Sequence, residues 1–145
     1  MYNYLYGSIN LIPMRKIILD TNFLMAVFQF KVDIFSEIER ICDFNYRLVV
    51  LEGSVRELEH LAKTAKGKSK RAALLALRMI ESKNIEVRKS EGKYVDSFML
   101  EFADKDTIVA TQDMALKRKL TEKGISLIIL RQKKYLQLLE RKVLH

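Results

Sequence analysis

Cysteine is nearly absent from this chain. Cys42 is the only one in 145 residues, which excludes an internal disulfide framework and every multi-cysteine zinc site and fits a reducing cytoplasm. Histidine is almost as scarce. His60 and His145 are too few and too isolated to build a histidine-based metal site, and neither stands in a nucleophile pattern. No apolar run approaches the roughly 20 residues that a spanning helix needs, so no membrane partner is expected. Repeats, low-complexity tracts and a dividing linker are also missing. Residues 1–13 have no basic start and no small-residue cleavage site behind an apolar stretch, so a secretory signal is not expected. They read as an N-terminal extension, disordered or upstream of a start at Met14, ahead of a single domain over 14–145. Tyr2, Tyr4 and Tyr6 alternate in that extension and read only as tail or dimer contacts.

What is abundant is positive charge. Lysine and arginine total 26 against 18 acids, a net charge of +8, and such a balance favours polyanionic partners such as nucleic acid. Apolar residues at 49% and charged residues at 30% describe a globular chain rather than a disordered one. The bases gather at Lys63, Lys66, Lys68, Lys70 and Arg71, at Lys117, Arg118, Lys119 and Lys123, and at Arg131, Lys133 and Lys134. Any one cluster is explained equally well as a solvated helix face; three together with the net charge point to RNA or DNA.

Strand-like and helix-like segments alternate. Lys16–Leu19 (KIIL), Arg47–Leu51 (RLVVL), Ile85–Arg88, Thr107–Thr111 (TIVAT) and Ser126–Leu130 (SLIIL) are short β-branched apolar runs, the signature of buried strands. Between them, helical spacing marks 22–28, 33–42, 54–63, 69–82, 95–103 and 114–123, with a polar hinge around Gly67 and a core stripe of Ala73, Ala76, Leu77 and Ile80. Tyr135–Leu139 reads as a terminal helix. Strands that are apolar throughout, separated by helices, imply an α/β/α three-layer sandwich around a parallel sheet of about five strands.

In such sheets every strand delivers its last residue to one edge, where functional groups collect. Asp20 follows the first strand, Glu57 lies on the helix after the second, Asp96 begins the helix before the fourth, and Asp113 sits just past the fourth. Four acids from distant segments would converge there. Such a cluster suits Mg²⁺ or Mn²⁺, which prefer oxygen ligands. Bound against a phosphodiester, these ions offset charge, activate a water and stabilise the leaving oxygen.

Asp20-Thr21-Asn22, Glu57 in SVREL, Asp96 in YVDSFMLEFA and Thr111-Gln112-Asp113 in VATQDMALKRKL resemble the acidic quartet of the PIN-domain nucleases over about 14–135. The VATQDMALKRKL and ILRQKKYL stretches look closest to archaeal single-domain relatives of the endonucleases that process small-subunit rRNA. The toxin branch is a poorer match. The resemblance implies a metal-dependent endoribonuclease in which Asp20, Glu57, Asp96 and Asp113 bind Mg²⁺ or Mn²⁺ and Asn22 and Thr111 support them. The basic clusters, through Lys66, Lys68, Lys70, Arg71, Lys117, Arg118 and Lys119, are expected to hold the RNA, single-stranded or looped because a phosphate must reach a recessed metal. A homodimer and a ribosome-assembly or antitoxin partner are expectations from the resemblance. Ser97 departs from the pattern, since many relatives carry a further acid there, and Gln112 is a milder variation.

Other readings compete. Asp20, Asp96 and Asp113 stand at predicted helix starts, where aspartate is a favoured cap. Ser54 and Glu57 have the S-x-x-E spacing of a capping box. Capping explains each acid singly but not the set. A receiver domain is excluded by the missing adjacent acids after the first strand and by Arg131 where a lysine is expected. A haloacid-dehalogenase-type phosphatase is excluded by Asn22 in place of its second acid. A toxin of a toxin–antitoxin pair and a catalytically silent RNA-binding scaffold stay open.

Overall fold

The computed structural model describes residues 14–90 and 95–141; the extension over 1–13, with its tyrosines, and His145 lie outside them. Along the described chain run β1 (Arg15–Leu19), α1 (Thr21–Gln29), α2 (Ile34–Ile41), β2 (Tyr46–Leu51), α3 (Glu52–Thr64) and α4 (Gly67–Ser82). There follow β3 (Glu86–Arg88), α5 (Val95–Phe102), β4 (Thr107–Ala110), α6 (Met114–Glu122), β5 (Ser126–Arg131) and β6 (Tyr135–Leu139). They form a six-stranded sheet of order β3-β2-β1-β4-β5-β6. The first five strands are parallel, with Ile18 opposite Val49 and Val109, and Ala110 opposite Ile128.

The apolar runs of the strands are needed because both faces of the sheet are covered. Ile17, Leu19, Ile108, Ala110, Ile128 and Leu130 point to a core shared with Phe23, Leu24, Ile38, Leu58, Ala73 and Ala76 of α1–α4. Their neighbours Ile18, Val109, Leu127 and Ile129 point the other way, onto Met99, Leu116 and Leu120 of α5 and α6. Alternate residues of one strand thus serve two layers. Cys42 is buried in the first core, where burial pushes its thiol up to about 11.

Two expectations are corrected. Tyr135–Leu139 is a strand, β6, pairing antiparallel with β5 from Arg131↔Tyr135 to Leu127↔Leu139. The connecting turn places Gln132 (φ 50°) and Lys133 (φ 57°) in the left-handed region, which a tight hairpin requires but which Asn or Gly usually supplies. The capping box is not formed either. β2 passes into α3 without a loop, so the helix starts at Glu52 with Leu51 as its cap residue, and Ser54 is buried inside the first turn. Glu57 is thereby released for another partner. The hinge at Gly67 is real: it sits at φ 61°, and glycine takes that conformation without a Cβ penalty.

Candidate active site

The chain lays β1, β2 and β3 outward to one side, then returns to place β4 beside β1 and continues to the other side. Between the carboxyl ends of β1 and β4 the strand order reverses, and this crevice is where open parallel sheets bind ligands. A pocket of about 400 Å³ opens there, lined by Asp20, Asn22, Glu57, Asp96 and Asp113, with Thr21, Met25, Ala26, Gln29 and Leu61 completing its wall. All four predicted acids therefore meet at one cavity.

Asp20 is its most enclosed acid, at 5% exposure. Its backbone N–H donates to Ala110 O across the β1–β4 junction, at 3.0 Å. Its side chain caps α1, Oδ1 accepting from Thr21 N at 2.9 Å, while Oδ2 accepts from the Thr111 hydroxyl at 2.8 Å. Thr111 is fully buried and its Oγ1 also accepts from Asp113 N at 3.1 Å, so one hydroxyl ties the end of β1 to the start of α6. Asp113 caps α6 through Leu116 N at 2.9 Å. Asn22 Oδ1 accepts from Gln112 N at 3.0 Å, and Gln112 Oε1 accepts from Leu130 N at 2.8 Å. The capping reading is thus correct for Asp20 and Asp113, and compatible with a second role because each keeps carboxyl surface in the pocket.

Two contributors escaped the sequence reading. The Thr21 hydroxyl donates to Glu57 Oε1 at 2.9 Å, holding an otherwise exposed carboxylate over the cavity. Gly53, in the first turn of α3, has Val95 so close that an added Cβ would lie 2.5 Å from Val95 Cγ2. A glycine here lets the start of α5, and with it Asp96, close on α3. No local pattern marks either residue, because each acts through a contact with a distant segment.

The electrostatics are those of crowded acids. Burial, opposed by the hydrogen bonds from Thr111 and Thr21 and assisted by the charges of Asp96 and Glu57, raises the Asp20 carboxyl to about 6. Asp96 is also raised, by burial and then by Asp113, with Lys119 pulling the other way. Among the described residues no lysine or arginine lines the cavity, and none of the four acids forms an ion pair. Nor do any three carboxyl groups there stand gathered as a ready ligand set for one ion. The donor set nevertheless fits a hard divalent cation: all oxygen, like-charged and lacking a counter-ion.

None of the expected RNA-binding bases lines this cavity. Lys66, Lys68, Lys70 and Arg71 are exposed at the α3–α4 junction, which is tied to the pocket wall where Gln29 Nε2 donates to Ser69 Oγ at 3.4 Å. On α6, Arg118 and Lys119 are exposed and Lys117 is half-buried; of these, Lys119 is felt by Asp96.

Comparison with known proteins agrees with this architecture. The chain is 41% identical over 129 residues to Ribonuclease VapC4 of Methanocaldococcus jannaschii, covering 86% of this chain and 97% of that one. It is 35% identical over 122 residues to Ribonuclease VapC9 of Archaeoglobus fulgidus, covering 83% and 86% respectively. In fold it resembles the PIN domain endonuclease Utp24, with a TM-score of 0.71 at 22% identity over 90% of this chain and 96% of that one. Residues 17–133 match the family described as PIN like domain, and the chain belongs to that family.

Proposed function

We propose that this protein is a divalent-metal-dependent endoribonuclease whose metal is held by Asp20, Glu57, Asp96 and Asp113, with Thr111 and Asn22 as supporting groups. One observation carries the reading: acids from four separate segments meet around a cavity to whose wall the described residues supply no cation. When bound, Mg²⁺ or Mn²⁺ would neutralise the phosphate and lower the pKa of a water. The protein's part is positional. Thr111 and the Thr21 N–H fix both oxygens of Asp20, and the Thr21 hydroxyl turns Glu57 inward. The lysines and arginines beyond the rim would neutralise backbone phosphates in a salt-dependent way, and single-stranded or looped RNA suits a recessed site that a duplex cannot enter.

Within the family, the toxin of a toxin–antitoxin pair is supported over rRNA processing. Both curated relatives carry the VapC name, that of the toxin branch, at 41% and 35% identity, whereas the likeness to Utp24 at 22% identity concerns fold alone. An antitoxin is then the expected protein partner. The test is cleavage of a labelled structured RNA with and without Mg²⁺ or Mn²⁺, comparing wild type with Asp20→Asn. Metal-dependent cutting that the variant loses supports the reading; RNA binding with no cutting under either metal supports a silent scaffold instead. Growth arrest on expression, relieved by Asp20→Asn, supports the toxin role.

A further inference from the structure

Phenylalanine is used in two ways around α1. Phe23 is fully buried in the core. Phe30, at the far end of the same helix, is 41% exposed, although its backbone N–H is satisfied by Ala26 O at 3.0 Å. Lys31 follows at φ 55° and turns the chain, leaving the Phe30 ring outside the core. A single exposed aromatic is ordinary; its surroundings are not. Its neighbour Gln29 lines the acidic cavity and contacts Ser69 beside the Lys66–Arg71 bases. The β5–β6 turn brings Lys133, whose ammonium lies 5.1 Å from the Phe30 ring centroid. The cavity wall runs along α1 through Asn22, Met25, Ala26 and Gln29, so the helix leads from the acids to this ring. The acidic cavity thus leads along α1 to an exposed aromatic ring with a lysine ammonium over it.

We propose that Phe30 is a base-stacking platform for a nucleotide of single-stranded RNA flanking the scissile phosphate, with Lys133 moving from the ring to an adjacent phosphate when a base takes its place. The proposal rests on the ribonuclease reading and names how the strand is gripped. Every base has a π-face, so stacking on a phenyl ring holds an unpaired strand without selecting sequence, and a nearby ammonium adds backbone affinity. A duplex keeps its bases stacked on each other and cannot use the ring.

The test is fluorescence-anisotropy binding of a short labelled single strand and of its duplex, without added divalent metal so that nothing is cut. Phe30→Ala weakens single-strand binding about tenfold, Phe30→Trp restores it, and duplex binding is unchanged. Lys133→Ala lowers the dependence of log affinity on log salt by about one phosphate contact. Because the ring is part-exposed and outside the core, Phe30→Ala stays folded with a modestly lower melting temperature, and Phe30→Trp, which restores binding, separates lost stacking from lost stability. Equal single-strand binding by wild type and Phe30→Ala overturns the platform and leaves the nuclease reading intact. Failure of the wild type to bind any RNA overturns both.

Discussion

The two edges of the sheet treat their carboxylates in opposite ways. At the amino edge, Glu140 receives two hydrogen bonds from the Arg15 guanidinium, at 2.8 and 3.1 Å, and a third from Ser126 Oγ at 2.8 Å. Arg15 also stacks over Phe44 at 4.6 Å. Asp104 lies 3.7 Å from Lys16 and accepts from the Thr107 hydroxyl at 2.9 Å. Both acids are held below their usual range, Glu140 chiefly by Arg15 and Asp104 by its hydrogen bonds and Lys16, which outweigh burial. At the carboxyl edge, Asp20 and Asp96 are raised instead, because burial and like charges outweigh the opposing contributions, Lys119 on Asp96 included, and among the described residues no cation pairs with either acid. The same residue types close the fold at one edge and are left uncompensated at the other. An uncompensated charge cluster costs stability, and its persistence points to a ligand that supplies the missing charge.

Supplying that charge from the protein would erase the contrast. Asp96→Lys places an ammonium among the acids, and cleavage of single-stranded RNA should fall at least about a hundredfold while thermal stability in the absence of metal rises. An activity assay beside a melting curve reads both. Thr111→Val keeps the acids but removes the hydroxyl from Asp20. Loss of such an outer contact costs about 10- to 100-fold in metal affinity or activity, seen as a raised metal requirement in a Mn²⁺ titration of the cleavage rate.

The two edges should also respond oppositely to pH. Asp20 has a folded value of about 6 against the ordinary 3.8, so between these the folded state holds a proton that the unfolded chain has released. Its contribution is full below about pH 4 and is lost as pH rises through about 6. The metal-free protein should therefore lose on the order of 2–3 kcal/mol from this group over that window, and Asp20→Asn should flatten the slope. Glu140 is lowered, so its contribution is present above its ordinary range and fades as pH falls. Denaturant melts at a series of pH values separate the two. The smallest effect concerns the amino edge: Arg15→Met removes a pair whose acid side chain is 52% exposed. It should cost about 1 kcal/mol or less in a urea melt and leave RNA cleavage unchanged.

Most of this layout was legible in the sequence because buried parallel strands are written as continuous apolar runs, and KIIL and SLIIL have no solvent-facing alternative. The convergence of Asp20 and Asp113 followed from the rule that strand ends share an edge. β6 was not legible: YLQLL spaces its apolar residues as a helix could, and the preceding RQKK turn uses Gln132 and Lys133 where Asn-Gly would have announced a hairpin. The start of α3 was misjudged because β2 enters it without a connecting residue, so S-x-x-E fell inside the helix. Thr21 and Gly53 were silent for a different reason. One orients Glu57 and the other admits Val95, and neither contact has any trace in the residues beside it.

The most direct test of the uncompensated acidic edge is calorimetric titration of Mn²⁺ into the metal-free protein at pH 7, in parallel with the Asp20→Asn, Asp96→Asn double variant. The account predicts saturable binding by the wild type, a higher melting temperature with the ion present, and loss of both in the variant. Binding that survives unchanged in the variant, or none in the wild type, would contradict it.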